Sequence, residues 1–336
     1  MITPYLSFSK LALAENVRLL REHSAAMNRQ WAAALTNVVP AHLLRDVVLT
    51  ETESASCRTV AHAEHLASAG FPKIILTGRT IDAESIQRLR AVVEHTRITA
   101  VIDHFRHAEL LSQCVQSCTN DASRMIHVLI EVDTGQQSTG VCPGPDATRL
   151  ASATARLPGL NVVGVFASSG DCGVDVKLGE YNAGYSTVAT IAEHGLRSIR
   201  EAAPECRETV VMVSSADDAA CCDSRVTSLI TSPFMMIGDV SGDHVRPPSV
   251  VLISTVIARP ALEWCIIDAG EIAFVRADDV YVHAPAGATI LRSTDETSTL
   301  QLSGEAIDLR IGDTVQLAMR KGMRPRFISR NAIASG

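Results

Sequence analysis

RITAVIDHFRHAELLSQC, residues 97–114, with MIHVLIEVD, residues 125–133, decides the fold. RITAVID and MIHVLIEVD are near-continuous apolar runs, too short for helices and ended by charge, so each reads as a strand buried on both faces. FRHAELLSQC between them has helical spacing. Two buried strands joined by a helix make one parallel crossover unit.

Working outward, the same alternation repeats. Toward the amino terminus, SKLALAENVRLLREHS reads as a helix with Ser9 as its cap. WAAALTNVV follows as a strand, AHLLRDV as a short helix and VVLTE (47–51) as a second strand. CRTVAHAEHLASAGF reads as a helix ending at Gly70, KIILTG as a strand and DAESIQRLRAVVEH as a helix. Toward the carboxyl terminus come the helix PDATRLASATARLPG, the strand LNVVGVFAS, a helical region to about Pro204, and the strands ETVVMVSS and SLITSPFMMIG. Eight strands alternating with helices predict an α/β fold, a (β/α)8 TIM-type barrel.

From about His244 the texture changes. VVLISTVIARP, WCIIDAG, ATILRSTDE, LQLSG and DTVQLAM are short strands between turn residues with no helices among them. The expected organisation is a barrel over 10–243 and a second, smaller all-β domain from 244–336, to which residues 1–9 add a strand.

Composition narrows the function. With 336 residues, 46% hydrophobic and 20% charged, the chain suits a globular enzyme. A formal charge of −7 offers no basic surface for nucleic acid. No apolar run reaches the ~20 residues of a membrane helix, and MITPYLSFSK lacks the charge and apolar core of a secretory leader. The expectation is a cytoplasmic protein with a small-molecule ligand, no nucleic acid and no membrane partner. Nine cysteines in irregular spacing, without a CxxC pair, read as small buried hydrophobes.

IEVDTGQQSTGVCPGP (130–145) resembles the strand-and-turn segment of the D-threonine aldolase and D-serine dehydratase family. TPYLSFSKLALAENV resembles that family's opening, CRTVAHAEHLASAGFPKIIL its third-strand region, and PPSVVLISTVIARP with CIIDAG the entry into its β-domain. The resemblance covers nearly the whole chain. It implies an alanine racemase-like, fold-type III barrel with a β-domain, pyridoxal phosphate (PLP) as cofactor, and a homodimer.

At the chemistry the sequence departs from the family. The resemblance implies a Schiff-base lysine at the end of the first strand. Counting back from CRTVAHAEHL puts Leu35 at that position, and a leucine cannot form an imine. The chain has four lysines, Lys10, Lys73, Lys177 and Lys321, of which Lys177 is the candidate for a displaced one. The family's arginine in the strand-five turn is Ser138 here. Its glycine-rich phosphate cradle reads Ser214-Ser215-Ala216-Asp217-Asp218, where carboxylates oppose a phosphate. Its Tyr and His after the sixth strand become Ser168 and Asp171. Its His-x-Cys metal pair falls in AMRKGMRP, which has neither ligand type. The expectation is loss of both PLP and the family metal, with Leu35 marking the vestigial lysine position.

What stands at the expected mouth is acidic: Glu51, Glu53, Asp103, Glu131, Asp133, Asp171, Asp217, Asp218 and Asp239, with Asn37, Arg79 and His104. Such a rim suits an amine-bearing metabolite, or a hard divalent cation held by carboxylates. Asp171, Asp217 and His104 are the candidate catalytic groups. Asn37, Arg79, Asp133, Ser138, Ser168, Ser214 and Asp218 are the candidate substrate contacts. Against these stands the ordinary role of such residues as helix caps, and for Cys172 that of a small loop residue. Three functions follow: a repurposed PLP-independent enzyme, a non-catalytic binding or partner pseudoenzyme, and a PLP-dependent lyase using Lys177.

Overall fold

Strand β2 (Gln30–Ala34) and the strands β3 (Ser54–Cys57), β4 (Lys73–Leu76), β5 (Arg97–Ile102), β6 (Ile126–Glu131), β7 (Leu160–Ser168), β8 (Glu208–Val213) and β9 (Ser228–Thr231) close into a parallel barrel in this computed structural model. It describes residues 2–35, 39–118, 124–135, 138–168, 185–213, 224–231, 247–274, 276, 278, 280–319 and 332–335. Each barrel strand pairs with its successor, and β9 returns to β2 with Ala32 opposite Ile230. Closure leaves the barrel no unpaired strand edge.

The helices between the strands start and stop where local chemistry dictates. Thr59 caps α3 (Val60–Ala69) by accepting from His62 N at 3.2 Å, and Gly70, at φ +99°, ends it. Asp82 caps α4 (Ala83–Val93) through Ser85 N at 2.7 Å. Helices α5 (Phe105–Gln116), α6 (Pro145–Thr154) and α7 (Tyr185–Ile199) follow β5, β6 and β7.

One expected strand is not a strand. VVLTE was read as the second strand, but Ala41–Leu43 is a helical turn (α2) that runs into a π-helical turn over Leu44–Val48, and β3 begins at Ser54. Leu43, Leu44, Val47 and Val48 are all buried, and their spacing is helical rather than alternating. Thr52 then sets the strand entry, its hydroxyl donating to Trp31 O at 2.9 Å. Glu51 and Glu53 therefore precede β3 and stand at the opposite end of the strand from the mouth.

Inside the barrel, Ala32, Ala34, Ile75, Val101, Leu129, Phe166, Val210 and Ile230 form one buried cluster, with Val163 and Met212 against it. The cluster fixes the inward parity of each strand. Side chains alternate along a strand, so Thr77, Asp103, Glu131 and Ser168, two residues past Ile75, Val101, Leu129 and Phe166, also point inward, at the carboxyl end.

The remaining strands form an eight-stranded sheet. β10 (Val250–Ala261), β11 (Trp264–Ile267), β12 (Val280–Ala284), β13 (Ala288–Ser293), β14 (Ser298–Leu302) and β15 (Thr314–Met319) run in the order β12-β15-β10-β11-β14-β13. β1 (Tyr5–Ser9) pairs antiparallel with β10, and β16 (Ala332–Ser335) pairs with β1. β12 and β16 were not read from the sequence, and a short helix, α8 (Glu271–Phe274), interrupts what was expected to be helix-free. The opening strand was expected and is present. The chain divides into two compact units, Met1–Val17 with Phe234–Gly336 and Arg18–Pro233, the division falling inside α1 (Lys10–Ala26).

Among the described cysteines, Cys57, Cys114, Cys206 and Cys265 are buried free thiols. Burial pushes Cys57 and Cys114 up to about 12 and Cys206 to about 11. They pack as small hydrophobes. No helix among the described residues is long and apolar enough to cross a membrane.

Candidate active site at the barrel mouth

The β4 turn sets the first side chain of the site. Gly78 lies so close to the chain of Arg58 that a Cβ would fall 1.7 Å from Arg58 O, so only glycine fits there. The tight turn sends Arg79 across the carboxyl ends of β5 and β6. Its Nε donates to Asp103 Oδ1 at 3.1 Å and its Nη2 to Asp103 Oδ2 at 2.8 Å, a bidentate pair. Nη2 also reaches Glu131 Oε2, while Nη1 donates to Thr77 O at 2.8 Å. The three side chains are 18%, 17% and 7% exposed.

The β6 turn completes the network. Thr139 Oγ1 donates to Glu131 Oε1 at 2.8 Å, and Gly140 N to Asp103 Oδ2 at 3.3 Å. Gly140 has φ +104°, and a Cβ there would fall 2.6 Å from Asp133 N. It is the pivot that folds 138–141 back along β6, where Val132 and Val141 form a bridge. From α5, His107 Nδ1 lies 3.1 Å from Asp103 Oδ1. Burial would raise the Asp103 pKa, but the Arg79 bonds, with help from Gly140 N–H and His107, hold it below the ordinary carboxylate value. Burial, assisted by Arg79 and His104, lowers the His107 pKa despite the pull of Asp103. Among the described residues of this network, two carboxylates share one guanidinium, with His107 beside Asp103.

The structure places the sequence candidates unequally. Arg79 is at the centre of the network, its guanidinium occupied by protein acceptors. His104 caps α5, its Nδ1 accepting from Arg106 N at 3.1 Å. Asp133 Oδ1 accepts from Gly135 N at 2.9 Å, a local turn bond. Ser168 ends β7 facing inward, and its carbonyl accepts from Thr134 Oγ1 at 2.7 Å. Ser138 is an exposed residue of the β6 turn. Among the described residues, the cation paired at the mouth is Arg79 of the β4 turn. Asn37, Asp171, Cys172, Lys177, Ser214, Asp217, Asp218 and Asp239 lie outside the described residues, as does most of AMRKGMRP. Among the described residues no three His, Cys, Asp or Glu side chains are grouped as a metal centre requires. Thr139, Gly140 and His107 were not singled out from sequence.

Leu35 is buried at 3% exposure, and its N–H extends the ladder to Ser56 O at 2.8 Å. Because Ala32 and Ala34 point into the barrel, alternation turns Leu35 outward. The counted lysine position therefore does not open on the mouth.

Comparison with known proteins agrees with this architecture. Residues 9–247 match the family described as alanine racemase, N-terminal domain. The chain belongs to that family, whose (β/α)8 barrel is accompanied here by the antiparallel sheet. A D-threonine aldolase from Arthrobacter sp is 24% identical over 278 residues, 80% of this chain and 71% of the relative. In structure, the D-threonine aldolase from Filomicrobium marinum superposes with a TM-score of 0.81 at 16% identity, covering 96% of this chain and 88% of that one. Alanine racemase from Corynebacterium glutamicum gives 0.71 at 16% identity, covering 94% and 90%.

Proposed function

We propose that this barrel binds and transforms a small, polar, amine-bearing metabolite at its mouth without PLP. The observation that carries the reading is the Arg79 network, in which Asp103 and Glu131 share a single guanidinium and leave an excess negative charge at the inward end of β5 and β6. A low-dielectric mouth with that charge favours an ammonium group. The relatives' names, D-threonine aldolase and alanine racemase, refer to amino acids, which supports an amine-bearing ligand.

The described residues do not fit PLP. The inward positions of β2 are alanines, and Lys73 enters β4 at the end away from the mouth. Arg79, the cation at the carboxyl ends of β4 to β6, is held by Asp103, Glu131 and Thr77 O rather than left for a phosphate. Proton transfer falls to the acidic residues after β7 and β8, with Asp171 and Asp217 as the candidates, and Asp218, Ser214 and Asn37 as ligand contacts. A homodimer and a cytoplasmic location complete the proposal.

Two measurements test it. Protein incubated with PLP and reduced with borohydride should carry no pyridoxyl adduct in its peptide map. An adduct on Lys177 would replace the proposal with a PLP-dependent lyase. In calorimetric titration, small primary amines should bind in preference to their deaminated analogues, and Glu131→Gln should weaken them by about tenfold. Equal affinity for the deaminated analogues would refute the charge argument.

A further inference from the structure

At the carboxyl end of β3 stands a second cation, Arg58, which the Arg79 network does not use. Ser56 is the register partner of Ala34 on one side and of Ile75 on the other, so it shares their inward face. Alternation turns Arg58, two residues further on, to the same side at the rim. Its backbone is fixed from three directions. Thr77 N donates to Cys57 O at 2.9 Å, Gly78 packs against Arg58 O, and Thr59 caps α3. Its side chain is exposed, and no described residue holds the guanidinium. Arg79 has every acceptor it needs; Arg58 has none among the described residues.

Between Arg58 and the acids the wall offers little to a polar group. Thr77 on β4 is buried, and its hydroxyl already donates to Cys57 O at 3.2 Å. Ile75 and Ala34 lie below it in the barrel cluster. Beyond it stand Asp103 and Glu131. Neighbouring strands run about 4.8 Å apart, so β5 lies roughly 10 Å from β3. A guanidinium at one end, carboxylates at the other and a spent hydroxyl between them match a ligand with opposite charges at its two ends and methylenes in between. The separation favours charges several bonds apart over an amine and a carboxylate on one carbon.

We propose that Arg58 sets the specificity of the mouth, and that the ligand is a short ω-amino carboxylate with its ammonium at Asp103 and Glu131 and its carboxylate on Arg58. The assignment rests on the reading of the mouth as an amine site and adds the anionic end. Because the guanidinium is exposed, water screens it, and the carboxylate should gain about fivefold in affinity.

Calorimetric titration of the whole chain with butylamine, 4-aminobutyrate and 2-aminobutyrate tests it. 4-Aminobutyrate should bind about fivefold tighter than butylamine, and tighter than 2-aminobutyrate. Arg58→Gln should erase the gain over butylamine and Arg58→Lys should keep part of it, with thermal melts confirming that both variants fold. Glu131→Gln should weaken butylamine and 4-aminobutyrate alike. Glu131-dependent binding of butylamine with no gain from the carboxylate, or a gain that survives Arg58→Gln, would overturn the assignment of Arg58 and leave the amine reading standing. Equal binding of the two aminobutyrates would overturn the end-to-end placement. No binding of either butylamine or 4-aminobutyrate would overturn both readings.

Discussion

Arg79 shows most clearly what one side chain does here. Its guanidinium joins the ends of three strands, and its acceptors are mostly buried. Removing it leaves Asp103 and Glu131 close together without a cation, so Arg79→Gln is expected to lower stability by about 3–5 kcal/mol. Urea unfolding would measure this, and an unchanged midpoint would contradict the network's structural role. Arg79→Lys should recover only part of the loss, because an ammonium cannot make the bidentate fork. His107 gives a pH signature. Its folded pKa is lowered, chiefly by burial, so the unfolded chain takes up a proton first as pH falls. Stability supplied by the neutral ring is therefore complete above its ordinary value near 6.5 and is lost as pH falls through the lowered folded value. Since His62 and His127 are also lowered, the difference between wild type and His107→Gln isolates this residue. Stability of the variant should fall less steeply as the pH drops below about 6.5; parallel curves would exclude the effect.

Elements set which residues can meet. Asp103 and Glu131 reach the mouth because each lies two positions past an inward apolar residue, and Gly140 reaches it because the β6 turn reverses at a positive φ. Gly140→Ala combines that φ with a clash on Asp133 N. It should cost about 1–3 kcal/mol and loosen the Thr139 and Asp103 bonds, read as faster amide exchange at 139–141. Leu35→Lys probes parity from the other side. A lysine there faces outward from an apolar layer, so it should form no borohydride-trapped PLP adduct and should lower stability by several kcal/mol. An adduct at position 35 would show that β2 does not keep its alternation. These elements also mark where sequence reading succeeds and stops. Long runs such as RITAVID and MIHVLIEVD are legible because both faces are buried. AHLLRDV was read as a helix and is one, whereas Val47 and Val48 were misread as the start of a strand because a short apolar run fits helix and strand alike until spacing is counted. Arg79, Asp103 and Glu131 were each noticed as mouth residues, but their joining was invisible. No spacing links residues 79, 103 and 131; only barrel closure does. His107 looked like an ordinary helical residue, and nothing in the sequence says that its ring faces Asp103.

At the scale of the whole molecule, the most non-local dependence is in the sheet rather than the barrel. β1 buries Leu6 and Phe8 at 2% and 1% exposure against partners from the far end of the chain. Deleting residues 1–9 removes those two side chains and uncovers one edge of β10, so a loss of about 3–6 kcal/mol is expected. Denaturant unfolding of the truncated chain would show it as a lower midpoint, and an unchanged curve would mean the strand is dispensable.

That same pairing has a consequence in time. Tyr5 pairs with Ile253 and Leu6 with Ala332, so β1 leaves the ribosome well over two hundred residues before its partners. At ordinary elongation rates the delay is on the order of tens of seconds. All eight barrel strands are synthesised within that interval and can pair before β10 exists. Leu6 and Phe8 meanwhile remain on an unpaired, alternating segment, as an invitation to chaperones or to neighbouring nascent chains.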